Sequence, residues 1–259
     1  MAYQNLTSEI KENILYVTIN REKALNALNK DTLAELADVI AFANKTEQVR
    51  GVILTGAGEK AFVAGADIKE FSDYNGKQGE DLAKGGHDLV FNAIENSSKP
   101  FIAAINGFAL GGGLELAMAC HMRIASDQAK LGLPEVTLGL IPGYGGTQRL
   151  TQLVGKGKAI EMITTANMVT ASEAEKIGLV NYVVPQADLI SKAEEIMNAI
   201  KQRAPLAISA AIKSVVAAVK NSDGYATEIE EFGKCFETAD FKEGVTAFIE
   251  KRKANFSGK

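Results

Sequence analysis

Hydrophobic residues first fall into a clear pattern between Ile14 and Ile19, where Leu15, Val17 and Ile19 alternate with Ile14, Tyr16 and Thr18. A period of two marks a strand, and Glu12-Asn13 just before it suits a tight turn, so the chain is predicted to open with a β-hairpin. The period then changes. From Lys30 to Ala43 the apolar residues Leu33, Leu36, Ala37, Ile40 and Ala41 recur at three and four, with Asn29 placed to cap the first turn, which predicts an amphipathic helix. Val52-Ile53-Leu54 and Phe101 to Ile105, the latter following Pro100, are unbroken apolar runs of the kind carried by strands buried on both faces. Between them Gly79 to Asn96 reads as mostly helical, and Met122 to Ala125 is a further short strand. This alternation of strands and helices predicts an α/β fold with parallel strands and helical crossovers.

Beyond Thr147 strands nearly vanish. Thr170-Ala-Ser-Glu173 has the form of a capping box opening a short helix that Gly178 closes, and Val180 to Val184 is the last extended piece. Leu189 to Arg203, Pro205 to Lys220, Tyr225 to Cys235 and Phe241 to Lys253 all carry helical periodicity, with Pro205 acceptable in a first turn. Neither an internal repeat nor a low-complexity linker interrupts the series.

Composition narrows the function classes. With 259 residues, 46% hydrophobic and 23% charged, the chain can bury a sizeable core. Its longest apolar runs fall far short of the roughly 20 residues that span a bilayer, so no membrane partner is expected. The opening Met-Ala-Tyr-Gln-Asn-Leu-Thr-Ser-Glu has neither the basic start nor the apolar core of a signal peptide, and a cytoplasmic location is expected. A net charge of −4 works against a nucleic-acid partner, whose phosphates need a concentrated basic surface. Lys251-Arg252-Lys253 is the only dense cationic run and is read as the solvated end of the last helix. Cys120 and Cys235 match no disulfide or metal-ligand spacing and are expected as buried free thiols.

The densest cluster of unusual residues begins at Asn106-Gly-Phe-Ala-Leu-Gly-Gly-Gly-Leu-Glu-Leu-Ala-Met, directly after a buried strand. Three glycines, Gly111 to Gly113, allow a tight turn into the helix that Leu114 to Ala119 suggests. The N–H groups at a helix start lack intrahelical acceptors and carry partial positive charge, so they suit an oxygen that becomes negative during a reaction, and Gly112 is the candidate donor. Taken alone, the glycines would equally serve close packing of helix on strand. Glu115 is the one polar side chain in an otherwise apolar helix, which implies a buried carboxylate. Glu135, after Pro134 in Leu131-Gly-Leu-Pro-Glu-Val, is a second carboxylate among apolar neighbours. Two such groups have displaced pKa values, and one can act as base while the other acts as acid near neutral pH.

Phe62-Val-Ala-Gly-Ala-Asp-Ile-Lys-Glu70 is a second glycine-bearing turn that could supply another outward N–H, from Ala66, to complete an oxyanion hole; alone it reads as a plain strand-to-helix turn with Asp67 near an N-cap. Gly56-Ala-Gly58-Glu-Lys-Ala61 loosely matches a dinucleotide-binding turn, but the extended Phe62-Val-Ala-Gly that follows opens no helix, and a nicotinamide cofactor is not expected. His87, in a polar helix, and His121, beside Cys120, are the only histidines, and they are read as packing or surface residues rather than metal ligands. No metal site and no phosphate-binding P-loop is predicted.

Asn106-Gly-Phe-Ala-Leu-Gly-Gly-Gly-Leu-Glu-Leu-Ala-Met, Gly132-Leu-Pro-Glu-Val and Pro142-Gly-Tyr-Gly-Gly-Thr-Gln-Arg-Leu together resemble the signature region of the crotonase superfamily. Lys23-Ala-Leu-Asn-Ala-Leu, Ala64-Gly-Ala-Asp-Ile-Lys-Glu and Phe248-Ile-Glu-Lys-Arg-Lys-Ala-Asn-Phe are similar to that family's coenzyme A segments and C-terminal end. The resemblance covers essentially the whole chain. It implies a spiral of ββα units as a catalytic core over residues 1–195, and a helical oligomerisation region over residues 196–259 that builds a homotrimer or a hexamer of two trimers. It implies that Ala66 and Gly112 donate to a thioester oxygen, that Asp67, Ile68 and Lys69 line an adenine pocket, and that basic residues near Lys23, with Lys251 of a neighbouring subunit, meet the phosphates. Ala24, Leu25, Ala64, Gly111, Pro134, Gly143 and Tyr144 are the other expected substrate contacts, Tyr144 shaping the acyl pocket.

Hydratases of the superfamily use two glutamates, and this chain has both. The resemblance therefore implies hydration of a trans-2-enoyl-CoA, with Glu115 as base and Glu135 as proton donor to C2, and with no cofactor beyond the coenzyme A of the substrate. Another reaction on the same fold, such as double-bond isomerisation, and a non-catalytic role in binding RNA or protein are the competing expectations.

Overall fold

The computed structural model describes residues 3–219 and 223–259; Lys220, the last position of one expected helix, lies outside them. The chain opens with β1 (Leu6–Lys11) and β2 (Ile14–Ile19), paired antiparallel with Lys11 opposite Ile14. Glu12 and Asn13 both hold positive φ, 47° and 66°, which gives a two-residue turn the twist its strands require. In α1 (Lys30–Lys45) the Asn29 side chain accepts from the Thr32 N–H at 2.9 Å. Its buried face centres on Thr32, Leu36, Val39, Ile40 and Ala43; of the residues read as apolar face, Leu33 and Ala37 flank this stripe and Ala41 faces solvent.

Three successive units follow in which one strand is laid into each of two sheets. They are β3 (Gly51–Gly56) with β4 (Ala61–Val63), β5 (Phe101–Ile105) with β6 (Phe108–Leu110), and β7 (Met122–Ser126) with β8 (Lys130–Gly132). The first unit is followed by α2 (Gly76–Gly86), a π turn at His87–Phe91 and α3 (Asn92–Glu95); the second by α4 (Gly112–Ala119); the third by α5 (Gly146–Val154) and α6 (Lys156–Thr165). After β9 (Val169–Thr170), α7 (Ala171–Lys176) and β10 (Tyr182–Val184), the chain continues as α8 (Leu189–Lys201), α9 (Pro205–Val219), α10 (Gly224–Cys235) and α11 (Ala239–Glu250). The capping box at α7 forms as expected, with Thr170 accepting from Glu173 N–H and the Glu173 carboxylate accepting from Thr170 N–H.

The larger sheet runs β1-β2-β3-β5-β7-β10 and is parallel from β2 onward; the smaller runs β4-β6-β8-β9. Residues alternate across the larger sheet. Leu15, Val17, Val52, Leu54, Ala103 and Ile105 belong to the main core, while Ile14, Ile53, Ile102, Ala104 and Ile124 pack on the other face against Leu189, Ala193 and Met197 of α8. Burial on both faces is why these strands read as continuous apolar runs. The helix α8 continues without a break across positions 195 and 196.

Two buried asparagines tie the sheets together at the crossing. The Asn106 amide donates to the carbonyls of Gly56, Gly58 and Ala61, and the Asn26 amide to those of Ala57 and Ala61. This fixes the chain segments that leave β3 and β5, and so the start of α4. Cys120 is buried but Cys235 is only half-buried, because α10 packs mainly on α9 and leaves its other sides open. No helix of the described residues is long and apolar enough to cross a membrane.

Candidate active site

The polypeptide between β6 and α4 turns sharply at Gly111 and enters the helix at Gly112. A side chain at Gly113 is sterically barred, since a Cβ there would lie 1.9 Å from the Val63 carbonyl oxygen. The glycine thus lets α4 press its first turn onto β4. The Ala66 turn leaves β4 on that same side. It is held by a parallel bridge to Leu28, in which Leu28 N–H donates to Gly65 O at 2.9 Å and Asp67 N–H donates to Leu28 O at 2.7 Å. Alternate N–H groups of a bridge point away from the partner, so the Ala66 N–H faces outward.

The Gly112 N–H, at the first helical position, has no intrahelical acceptor. A methyl on Gly112 would sit 3.7 Å from the Ala66 nitrogen and 3.6 Å from both Leu28 and the Tyr144 ring. Two backbone donors therefore border one small space walled by Leu28 and Tyr144, the arrangement an oxyanion hole requires.

Glu115 lies one turn further along α4 and is 1% exposed. One of its oxygens, Oε1, accepts from the Tyr144 N–H at 2.8 Å and from the Gly146 N–H at 2.7 Å. The second contact requires glycine: a Cβ on Gly146 would stand 2.8 Å from that oxygen. Burial is the largest influence on this carboxyl and raises its pKa from 4.5 to about 7; the Glu135 charge adds to the rise, while the Gly146 and Tyr144 N–H groups and the Arg149 charge oppose it.

Glu135 opens a single 3₁₀ turn, Glu135–Leu138, directly after Pro134. Burial also raises its pKa, against the pull of its own backbone N–H. Its Oε1 lies 2.9 Å from where a Cβ on Gly111 would stand, and its buried Oε2 has no hydrogen-bond partner among the described residues. A buried carboxyl oxygen without a partner is costly, and is suited to a ligand that supplies one. The two glutamates thus approach the same space from α4 and from the loop after β8. Burial raises both pKa values, and the Glu135 charge adds to the rise at Glu115, so each carboxyl holds a proton more readily than an exposed one, as proton transfer near neutral pH requires.

Several expected substrate contacts are also gathered beside this space. Lys23 and Ala24 lie in a 3₁₀ turn that Leu25 closes in the left-handed conformation, and Leu25 O accepts from the Ala64 N–H at 3.0 Å. Arg21 pairs with Asp67 at 3.1 Å and also donates to Ala27 O, tying this turn to the Ala66 segment. Ile68 and Lys69 continue as a 3₁₀ turn, with Ile68 exposed. Tyr144 stacks on Phe91 with ring centroids 4.7 Å apart. Lys251 occupies the C-cap of α11, and no hydrogen bond or ion pair joins it to this cluster among the described residues.

Three features at the site lay beyond the sequence reading. One is the grip of Tyr144 and Gly146 on Glu115, signalled only by the glycines around Tyr144. The second is the π turn at His87–Phe91, which carries Phe91 to Tyr144 where an ordinary helix was expected. The third is Arg149, 6% exposed, which donates to both carboxylate oxygens of Glu95, to Asn92 Oδ1 and to Tyr144 O. Among the described residues no group of three His, Cys, Asp or Glu side chains is disposed to hold a metal ion.

Residues 9–259 match the family described as Enoyl-CoA hydratase/isomerase. The chain is 49% identical to the Short-chain-enoyl-CoA hydratase of Clostridium acetobutylicum, over 98% of this chain and 97% of that one. It is 47% identical to the Crotonyl-CoA hydratase of Syntrophomonas wolfei over the full length of both. Among solved structures, the enoyl-CoA hydratase of Bacillus anthracis superposes with a TM-score of 0.93 at 40% identity, covering 99% of this chain and 100% of that one.

Proposed function

Because the chain belongs to the enoyl-CoA hydratase/isomerase family, we propose that it is an enoyl-CoA hydratase, adding water reversibly and syn across the double bond of a trans-2-enoyl-CoA to give a 3-hydroxyacyl-CoA. The observation that carries this reading is the pair of carboxyls, buried Glu115 and half-buried Glu135, both with raised pKa values, beside the outward-facing Ala66 and Gly112 N–H groups. Addition of water to a conjugated thioester needs a base for the water, an acid for C2 and a place for enolate charge, and the site offers one group for each.

In the reacting state Glu115 is ionised and Glu135 is protonated. Water held between them gives a proton to Glu115 as its oxygen bonds to C3; the π electrons move toward the thioester oxygen, where the Ala66 and Gly112 N–H groups stabilise the charge. Such donors contribute a few kcal/mol each (about 3). Glu135 then delivers its proton to C2, and transfer between the two carboxyls restores the starting state. The reaction needs no cofactor beyond the coenzyme A of the substrate.

The neighbouring residues fit the rest of the ligand. Lys23, Ala24, Leu25, Ala64, Asp67, Ile68 and Lys69 line the coenzyme A side of the site, with Lys251 of a neighbouring subunit reaching the phosphates, while Gly111, Pro134, Gly143 and Tyr144 border the acyl side. The acyl group is read as short. Tyr144 is buried against Phe91 and closes the space beside Gly112, and two relatives carry short-chain and crotonyl in their names.

The protein is read as a homo-oligomer, a trimer or a pair of trimers, assembled through its C-terminal helices. Tyr225, Ile229, Phe248 and Ile249 are each more than 70% exposed there, large apolar side chains that assembly would cover. Light scattering of the purified protein gives the mass directly, and a monomer would refute assembly.

Purified protein should bleach the absorbance of the conjugated double bond in crotonyl-CoA, and Glu115→Gln and Glu135→Gln should each lower kcat by about 10²- to 10⁴-fold. Turnover in either variant at the level of the unaltered protein would remove that glutamate from the mechanism. Faster conversion of a 3-enoyl-CoA than of a 2-enoyl-CoA would replace hydration by isomerisation.

A further inference from the structure

Glu115 is a base only while its reactive oxygen points at the water, and among the described residues its side-chain hydrogen bonds come not from α4 but from Tyr144, in the segment before α5, and from Gly146, the first residue of α5. That segment enters α5 through Gly145 in a left-handed conformation, φ 97°, so the peptide planes before the helix are not fixed by helix geometry. The fixed point is a charge. Arg149 donates through Nη1 to Tyr144 O at 3.0 Å, and the N–H of that same residue holds Glu115.

Arg149 is itself locked. Its Nε meets Glu95 Oε1 at 3.0 Å, and its Nη2 meets Glu95 Oε2 at 3.2 Å and Asn92 Oδ1 at 3.0 Å. Glu95 ends α3 and is secured from behind by His121. The His121 Nδ1 accepts from Phe101 N–H at 2.9 Å, which leaves the ring proton on Nε2, facing the Glu95 carbonyl at 3.3 Å. A buried ion pair is no more stabilising than apolar packing of the same volume, so its presence here is better explained by what it orients than by stability. Building on the hydratase reading, we propose that Arg149 is the positioning residue for the general base: clamped by Glu95 and Asn92, it holds the Tyr144 carbonyl, and so the two N–H groups that aim Glu115.

The charges facing Glu115 are Glu135 from the loop after β8 and Arg149 from α5, with the Tyr144 phenol beside them; the titratable groups facing Arg149 are Glu95 from α3, His87 from the π turn and Cys120 at the end of α4. Removing the Arg149 charge must therefore raise the Glu115 pKa, and the activity limbs of the carboxyl pair move to higher pH with it. A residue that only held α5 in place would shift the titration through its charge alone, and its replacement by lysine would leave kcat unchanged.

The test compares Arg149→Met and Arg149→Lys by crotonyl-CoA kinetics and by carbon-13 NMR titration of the Glu115 carboxyl. Arg149→Met should lower kcat by on the order of 10²-fold with KM little changed, and should move the Glu115 titration upward. Arg149→Lys keeps the charge but loses the planar fork, so its titration should stay close to that of the unaltered protein while kcat still falls. If Arg149→Met does not fold, Arg149→Lys carries the test alone, and an unchanged kcat in it overturns the proposal. An unchanged Glu115 titration in folded Arg149→Met also overturns it, as does an equal fall in kcat and rise in KM. If the unaltered protein converts no enoyl-CoA, the hydratase reading fails, while the Glu115 titration still decides whether Arg149 controls that carboxyl.

Discussion

Replacing Glu115 by glutamine should make the protein more stable at alkaline pH while abolishing most of its activity, and the size of the gain follows from the environment of the side chain. Burial raises the carboxyl pKa from 4.5 to about 7. A group whose folded pKa lies above its unfolded value disfavours the fold only when charged. The penalty is absent below about pH 4.5, grows as pH rises, and is complete above about pH 7. The rise from 4.5 to about 7, at about 1.4 kcal/mol for each tenfold change in proton affinity, gives a penalty of roughly 3 to 4 kcal/mol. Glutamine keeps an oxygen for the Tyr144 and Gly146 N–H groups and carries no charge, so the variant escapes the penalty. Urea unfolding of both proteins at pH 5 and pH 8, at one protomer concentration because assembly is linked to folding, yields the difference. The variant's advantage should be roughly 2 to 3 kcal/mol larger at pH 8 than at pH 5, because part of the penalty is already present at pH 5. An advantage independent of pH would show that Glu115 is not held at a cost, and would remove the argument that its site is arranged for proton transfer rather than for stability.

Three other substitutions probe separate parts of the structure. Tyr144→Ala should open the space beside Gly112, raising kcat/KM for an eight-carbon enoyl-CoA relative to crotonyl-CoA by at least about tenfold; an unchanged ratio would place the acyl group elsewhere. Gly113→Ala puts a methyl 1.9 Å from the Val63 carbonyl and should cost the upper part of about 1–3 kcal/mol while displacing the Gly112 donor, so melting temperature and kcat should fall together. Thr170→Ala removes the N-cap of α7 and should cost about 1 kcal/mol in denaturant unfolding with kcat unchanged, since α7 takes no part in the site.

What could be read in advance was whatever a short window encodes. The Glu12-Asn13 turn, the Asn29 cap and the Thr170-Glu173 box each depend on residues within four positions of one another, and all form as expected. The strands β6 and β8 went unread because three residues, Phe108–Leu110 and Lys130–Gly132, are too few to show a period, and their pairing partners lie tens of residues away. Yet those strands bring the two glutamates together, since β6 leads into Gly112 and Glu115 and β8 into Glu135. The same division runs through the site. A lone carboxylate in an apolar helix announces its burial, whereas the hydrogen bonds that aim it arrive from 29 and 31 residues downstream, and the arginine behind them is anchored 54 residues upstream of itself. The residue types needed for the chemistry are therefore visible along the chain, and the support that makes them act as one site exists only where distant segments meet.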